Sequence, residues 1–124
     1  MSKFTALELA ALDAIFLETP DLNEALRRQL RFARVVKREN SGGGFFTDIS
    51  VAPDASALAC DRVLGKTTRA KVAGLSWGMG FVLFMDHGKL SLLEGYAFAP
   101  EDTSALDLED LTFEVTSGPY DLHE

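Results

Sequence analysis

Between Gly78 and Phe98 the chain reads GMGFVLFMDHGKLSLLEGYAF, two apolar runs broken by Asp86-His87-Gly88. Apolar runs joined by a short glycine-containing link predict a β-hairpin. The loop is read as three residues long, with Gly88 supplying the left-handed backbone such a loop requires. If Met85 faces Lys89, then Phe84 faces Leu90, Val82 faces Leu92 and Gly80 faces Glu94. Strand alternation makes both faces apolar: Val82, Phe84, Leu90 and Leu92 on one, Phe81, Leu83, Met85 and Leu93 on the other. Such a hairpin belongs in the middle of a sheet. One face can pack on helices. The other calls for a curled sheet, a loop or a second copy, because large apolar patches are uncommon on soluble monomers. A homodimer is the expectation.

The material for the helical layer lies at the N-terminus. Thr5-Ala-Leu-Glu8 is a capping-box pattern, flanked by Phe4 and Leu9 at the positions of a hydrophobic staple. Leu7, Ala11, Leu12, Ile15 and Phe16 follow at helical spacing, and the helix should close near Glu18, ahead of Pro20. Thr19 and Pro20 suit the start of a second helix. Its stripe is Leu22, Ala25, Leu26 and Leu30, with Arg27, Arg28 and Arg31 facing away. From Phe32 the period turns to two, placing Phe32, Arg34, Val36 and Arg38 on one side of a strand. Asn40-Ser-Gly-Gly-Gly44 reads as a turn, and Phe45, Thr47, Ile49 and Val51 share a face of the next strand, which Pro53-Asp54 ends. Residues 55–60 read as a loop, 61–64, 68–75 and 111–116 as strands. The predicted class is α+β: an N-terminal helical hairpin packed on one antiparallel sheet of about five to seven strands. A single domain covers residues 1–116, and residues 117–124 form a C-terminal tail.

Charge narrows the partners. The net charge is −7, but residues 1–40 balance at +1 and residues 41–124 at −8; from Ala99 onward there are eight acidic side chains and no Lys or Arg. Acidic chains bind nucleic acid poorly, since phosphate affinity depends on cations, and are better matched to a basic protein. No apolar run reaches the roughly 20 residues that span a bilayer, so no membrane role is expected. Glu8 and Asp13 interrupt the N-terminal apolar stretch, which does not suit a secretory signal. A lone cysteine, Cys60, allows no internal disulfide and fits a reducing cytoplasm.

Catalytic chemistry finds little to work with. Leu64-Gly-Lys-Thr-Thr68 matches the end of a phosphate-binding loop, but Cys60 stands where its first glycine belongs, and a strand rather than a helix follows. The Asn40–Gly44 run is better read as a hairpin turn than as an anion nest. One cysteine and two histidines, His87 in the turn and His123 near the end, give no metal-ligand spacing and no nucleophile–histidine pair. No catalytic residue, metal or cofactor is assigned. Four residues remain as ligand- or partner-binding candidates. Glu94 shares a strand face with Leu90, Leu92, Tyr96 and Phe98; it is either paired with Arg34, Arg38 or Tyr96, or kept for function. Trp77 and Met79, among the glycines of Gly74–Gly80, offer either an adaptable contact surface or a bulged connection whose Trp fills the core.

Gly80-Phe-Val-Leu-Phe84 together with Gly88-Lys-Leu-Ser-Leu-Leu-Glu-Gly-Tyr96 resembles a GFxLFxxxGxLxxLEGYxF hairpin of small uncharacterised bacterial α+β proteins. It is also similar to hairpins of immunity proteins that neutralise secreted toxins. Arg38–Phe46 carries a weaker echo. The resemblance implies a bacterial cytoplasmic origin and a binding role. Two functional readings follow. One is a non-enzymatic interaction domain, immunity-like, that meets a basic partner through acidic surface. The alternative is a small-ligand-binding or weakly enzymatic domain with a pocket near Trp77, Glu94 and Tyr96.

Overall fold

The computed structural model describes residues 3–116; the tail and His123 lie outside them. Helix α1 (Ala6–Leu17) starts at the expected capping box. Thr5 Oγ1 accepts from the Glu8 N–H at 3.0 Å, and the Thr5 N–H donates to Glu8 Oε1 at 2.8 Å. Leu7, Ala11, Leu12, Ile15 and Phe16 are all buried, and the helix closes at Glu18, whose N–H donates to the Ile15 carbonyl while the Thr19 N–H donates to that of Phe16. Pro20–Leu22 forms a single 3-10 turn before α2 (Asn23–Arg31), and Thr19 makes no side-chain cap. Leu26 is fully buried, with Leu22 and Leu30 partly so. Arg27 does not face away as its spacing suggests. It lies across the helix–helix seam, 2.5 Å from Asp13, with its guanidinium 5.8 Å above the Phe16 ring.

Seven antiparallel strands follow: β1 (Ala33–Asn40), β2 (Gly44–Val51), β3 (Val63–Leu64), β4 (Arg69–Val72), β5 (Met79–Asp86), β6 (Lys89–Ala97) and β7 (Phe113–Val115). Their order is β1-β2-β6-β5-β4-β7, with β3 also paired to β5. The fold is therefore α+β, an N-terminal helical hairpin against a seven-stranded antiparallel sheet, and the β5–β6 hairpin occupies its middle.

The hairpin's register differs from the alternation argument. Asp86 pairs with Lys89, so the loop has two residues, His87 (φ 52°) and Gly88 (φ 76°), both left-handed as a type I′ turn requires. Met85 then pairs with Leu90 but Phe84 with Leu92, leaving Ser91 as the extra residue of a β-bulge. Beyond it the facing pairs are Val82 with Glu94 and Gly80 with Tyr96. The bulge also moves Leu90 to the helix side, where it is buried. A second bulge, at Val36 between the pairs Val35–Ile49 and Lys37–Asp48, breaks the alternation of β1. Val35 and Arg38 consequently both face the helices rather than opposite sides.

The core forms between the helices and one sheet face, where Phe45, Thr47, Met79, Phe81, Leu83 and Leu93 are nearly or fully buried. Phe46, Val63, Val82, Phe84, Leu92, Tyr96 and Phe98 take no part in that cluster. They belong to the opposite face, where Phe46 and Phe98 stay 36% and 46% exposed and Val82, Phe84, Leu92 and Tyr96 are partly exposed. After β6, residues 98–112 cross irregularly to β7. Leu106, Leu108 and Leu111 pack against the core on the way. Buried Thr103 anchors the crossing: its Oγ1 donates to Asn40 Oδ1 at 2.9 Å, and the Asn40 amide donates to its carbonyl at 2.8 Å.

Candidate functional site

Two buried polar groups hold the layers together. Glu8, 1% exposed, is more than a cap residue: Arg38 grips it with Nε to Oε2 at 2.6 Å and Nη2 to Oε1 at 2.8 Å. Thr47 Oγ1 donates to Oε2 at 2.5 Å, so the carboxylate joins α1, β1 and β2. Hydrogen bonding to Glu8 raises the Arg38 pKa above its ordinary value, against the opposing effect of burial and with help from the charges of Glu8 and Glu109. Gln29 is the second. Its amide donates to the carbonyls of Ser56 and Gly88 at 2.9 and 2.8 Å and accepts from the Leu90 N–H at 2.9 Å, clamping the hairpin tip to α2. Both groups have bonded partners that tie the helices to the sheet; Gln29 also borders a cleft of about 180 Å³ with Ala25, Arg28, Phe32 and Ser56.

The four residues selected from the sequence do not converge. Met79 is completely buried in the core and offers no contact surface. Trp77 does not fill the core; it is 71% exposed on the turn between β4 and β5. Glu94 and Tyr96 stand two apart on β6, on the open sheet face. The Tyr96 ring lies over Gly80, where any side chain would come within 2.5 Å of its Cζ, and it meets Phe98 edge-on at 5.6 Å. The cleft beside Trp77 is lined by neither Glu94 nor Tyr96.

Glu94 is the unusual member. Its cross-strand neighbours are Phe46 on β2 and Val82 on β5. It is partly buried, and among the described residues no side chain forms an ion pair or hydrogen bond with it. Arg38, a partner expected from the sequence, is committed to Glu8 on the other face of the sheet. The geometry therefore sets the Glu94 carboxylate beside Phe46, Val82, Leu92 and Tyr96, with the exposed Asp48 facing Leu92 on the same side of the sheet. Proteins normally pair or solvate such a charge.

The remaining candidates resolve simply. His87 is exposed at the turn tip, 3.0 Å from Asp86. Gly65-Lys-Thr-Thr68 leads into strand β4, with Thr68 bonded to Glu18, so no phosphate loop forms. Cys60 is partly buried, and burial, then the charge of Asp61, raises its pKa away from thiolate reactivity. No cluster of three metal-ligating side chains occurs among the described residues. Several acidic residues after Ala99 are taken up by the chain itself. Glu101 accepts from the N–H groups of Ser76 and Trp77, Asp102 from Ser104, Asp107 from Glu109, and Glu109 lies 3.8 Å from Arg38. The Ser104 bonds hold the Asp102 carboxyl below its ordinary range. Comparison with family models, curated proteins and solved structures finds no match.

Proposed function

We propose that this chain is a non-enzymatic protein-interaction domain, immunity-like in the sense of occupying another protein, whose open sheet face receives a basic partner. The observation that carries the reading is Glu94, a partly buried carboxylate beside Phe46, Val82, Leu92 and Tyr96 that pairs with no cation among the described residues. A lysine or arginine from a partner would supply the missing charge while apolar neighbours desolvate the pair. Truncating one side of such a pair characteristically weakens a complex by 2–5 kcal/mol or more. The net charge of −7 favours the same encounter at long range. The aromatic face also favours self-association, the second reading.

The test is a titration with the amphipathic peptide acetyl-KFKFKFK-amide against its glutamate counterpart. The basic peptide should bind, less tightly as salt rises, and Glu94→Gln should weaken it about tenfold or more. Equal binding of both peptides, or no effect of Glu94→Gln, would sink the reading. A dimer mass in light scattering at micromolar concentration, lost in Phe46→Lys, would favour the second copy instead.

A further inference from the structure

On the helical side of the molecule, the chain closes two of its carboxylates with arginine. Asp13 and Phe16 lie one turn apart on α1, and Arg27 completes the group: its Nη2 stands 2.5 Å from Asp13 Oδ1 while the guanidinium lies 5.8 Å above the Phe16 ring. Asn23 Oδ1 accepts from Arg27 Nε at 2.8 Å and fixes the guanidinium plane. The buried Glu8 takes Arg38 through two nitrogens. Lysine pairs more loosely: Lys37 Nζ stands 3.7 Å from Glu39, with both side chains largely exposed.

The open sheet face repeats the carboxylate and the aromatic of the Asp13–Phe16–Arg27 group. Glu94 lies directly opposite Phe46, which is 36% exposed, and side chains so placed on neighbouring strands stand about 5 Å apart at Cβ. Val82 on the other flank, with Leu92 and Tyr96 along β6, keeps the carboxylate partly buried. The other carboxylates of this region are exposed and have a lysine at hand: Glu39 pairs with Lys37, and Asp48 has Lys37 opposite it on β1. A cation arriving at Glu94 therefore meets an aromatic ring on one side and an aliphatic side chain on the other. An ammonium is strongly hydrated and acts as a point charge. A guanidinium is weakly hydrated, forks onto a carboxylate through two N–H groups and stacks on aromatic faces. We propose that the basic residue the open face receives is an arginine, forked onto Glu94 and stacked on Phe46, so that Phe46 sets a preference for arginine over lysine. This rests on the reading of the open face as the site of a basic partner and adds the chemistry of the residue that anchors it.

Two peptides of equal charge separate the choices. In calorimetric titrations acetyl-RFRFRFR-amide should bind about fivefold more tightly than acetyl-KFKFKFK-amide. Phe46→Leu keeps an apolar side chain and removes the ring. It should abolish that preference while the lysine peptide still binds, which also shows that the variant folds. Phe46→Tyr should keep the preference. Equal affinities for the two peptides, both weakened by Glu94→Gln, would overturn the arginine assignment and leave the basic-partner reading standing. A preference that survives Phe46→Leu would overturn the assignment as well, because the ring would then not be its source. Binding of neither peptide would overturn both.

Discussion

Glu8 shows what a local pattern conveys and what it leaves out. The spacing from Thr5 to Glu8 announces a helix start, since both bonds of a capping box form within four residues. That the same carboxylate would receive Arg38 depends on a strand 30 residues away and on the bulge at Val36, which turns Arg38 inward. Gln29 is the parallel case: its three partners lie 27 to 61 residues off, so α2 reads as an ordinary amphipathic helix. Trp77 stood between contact surface and core filler because residue type speaks only for the average tryptophan; its exposure follows from a turn held by Glu101. Glu94 was legible as a carboxylate on an apolar face, but that Arg38 would be committed to Glu8 on the other face was not. The buried pair gives the clearest residue-scale prediction. Arg38→Met leaves Glu8 charged and buried and should cost about 3–5 kcal/mol, read as a lowered urea midpoint. Adding Glu8→Leu should recover part of that loss, because the stranded charge goes while the Thr5 N–H and the Thr47 hydroxyl lose their acceptor. The arginine's raised pKa adds stability that is complete below its unfolded value and is lost only as pH rises through the folded one. Its contribution is therefore flat across neutral pH.

At the scale of elements, the helices and the central hairpin were readable because each is built from contacts close in sequence. Register was not. Bulges at Ser91 and Val36 each insert one residue, and nothing in the alternation of apolar side chains marks where a strand will take up an extra one. The hairpin loop was read as three residues with Gly88 as its one left-handed position; in the two-residue turn that forms, His87 at φ 52° fills a second. That turn is improvable. His87→Asn supplies the Asn-Gly pair that type I′ turns favour and should raise the thermal midpoint, by roughly 0.5 kcal/mol in stability. Gly88→Ala should do the reverse, costing about 2 kcal/mol or more. It strains a φ of 76° and brings a Cβ within 2.5 Å of the Leu58 carbonyl oxygen. The same denaturation curves check both.

The whole molecule has one face packed and one open, and adjacent leucines on β6 distinguish them. Leu93 is 0% exposed in the core, while Leu92 lies on the open face. Leu93→Ala should cost about 2–5 kcal/mol, and Leu92→Ala less than about 1.5 kcal/mol, in urea titrations. If a second copy covers the open face in solution, the Leu92→Ala cost will grow with protein concentration; a cost independent of concentration means the face is free. The two-layer architecture followed from hydrophobic periodicity. What should occupy the outer face did not, because exposure there depends on how the seven strands are ordered.

That ordering also bears on how the protein is made. Strand β2 ends at Val51, and its second neighbour, β6, is not complete until Ala97. At synthesis rates of about 5–20 residues per second, the far edge of β2 waits for roughly two to nine seconds. During that interval Gly44–Val51 presents unpaired backbone and three alternating apolar side chains, Phe45, Ile49 and Val51, beside Thr47. The nascent chain is most open to misassociation in this window, and a chaperone's benefit would fall there.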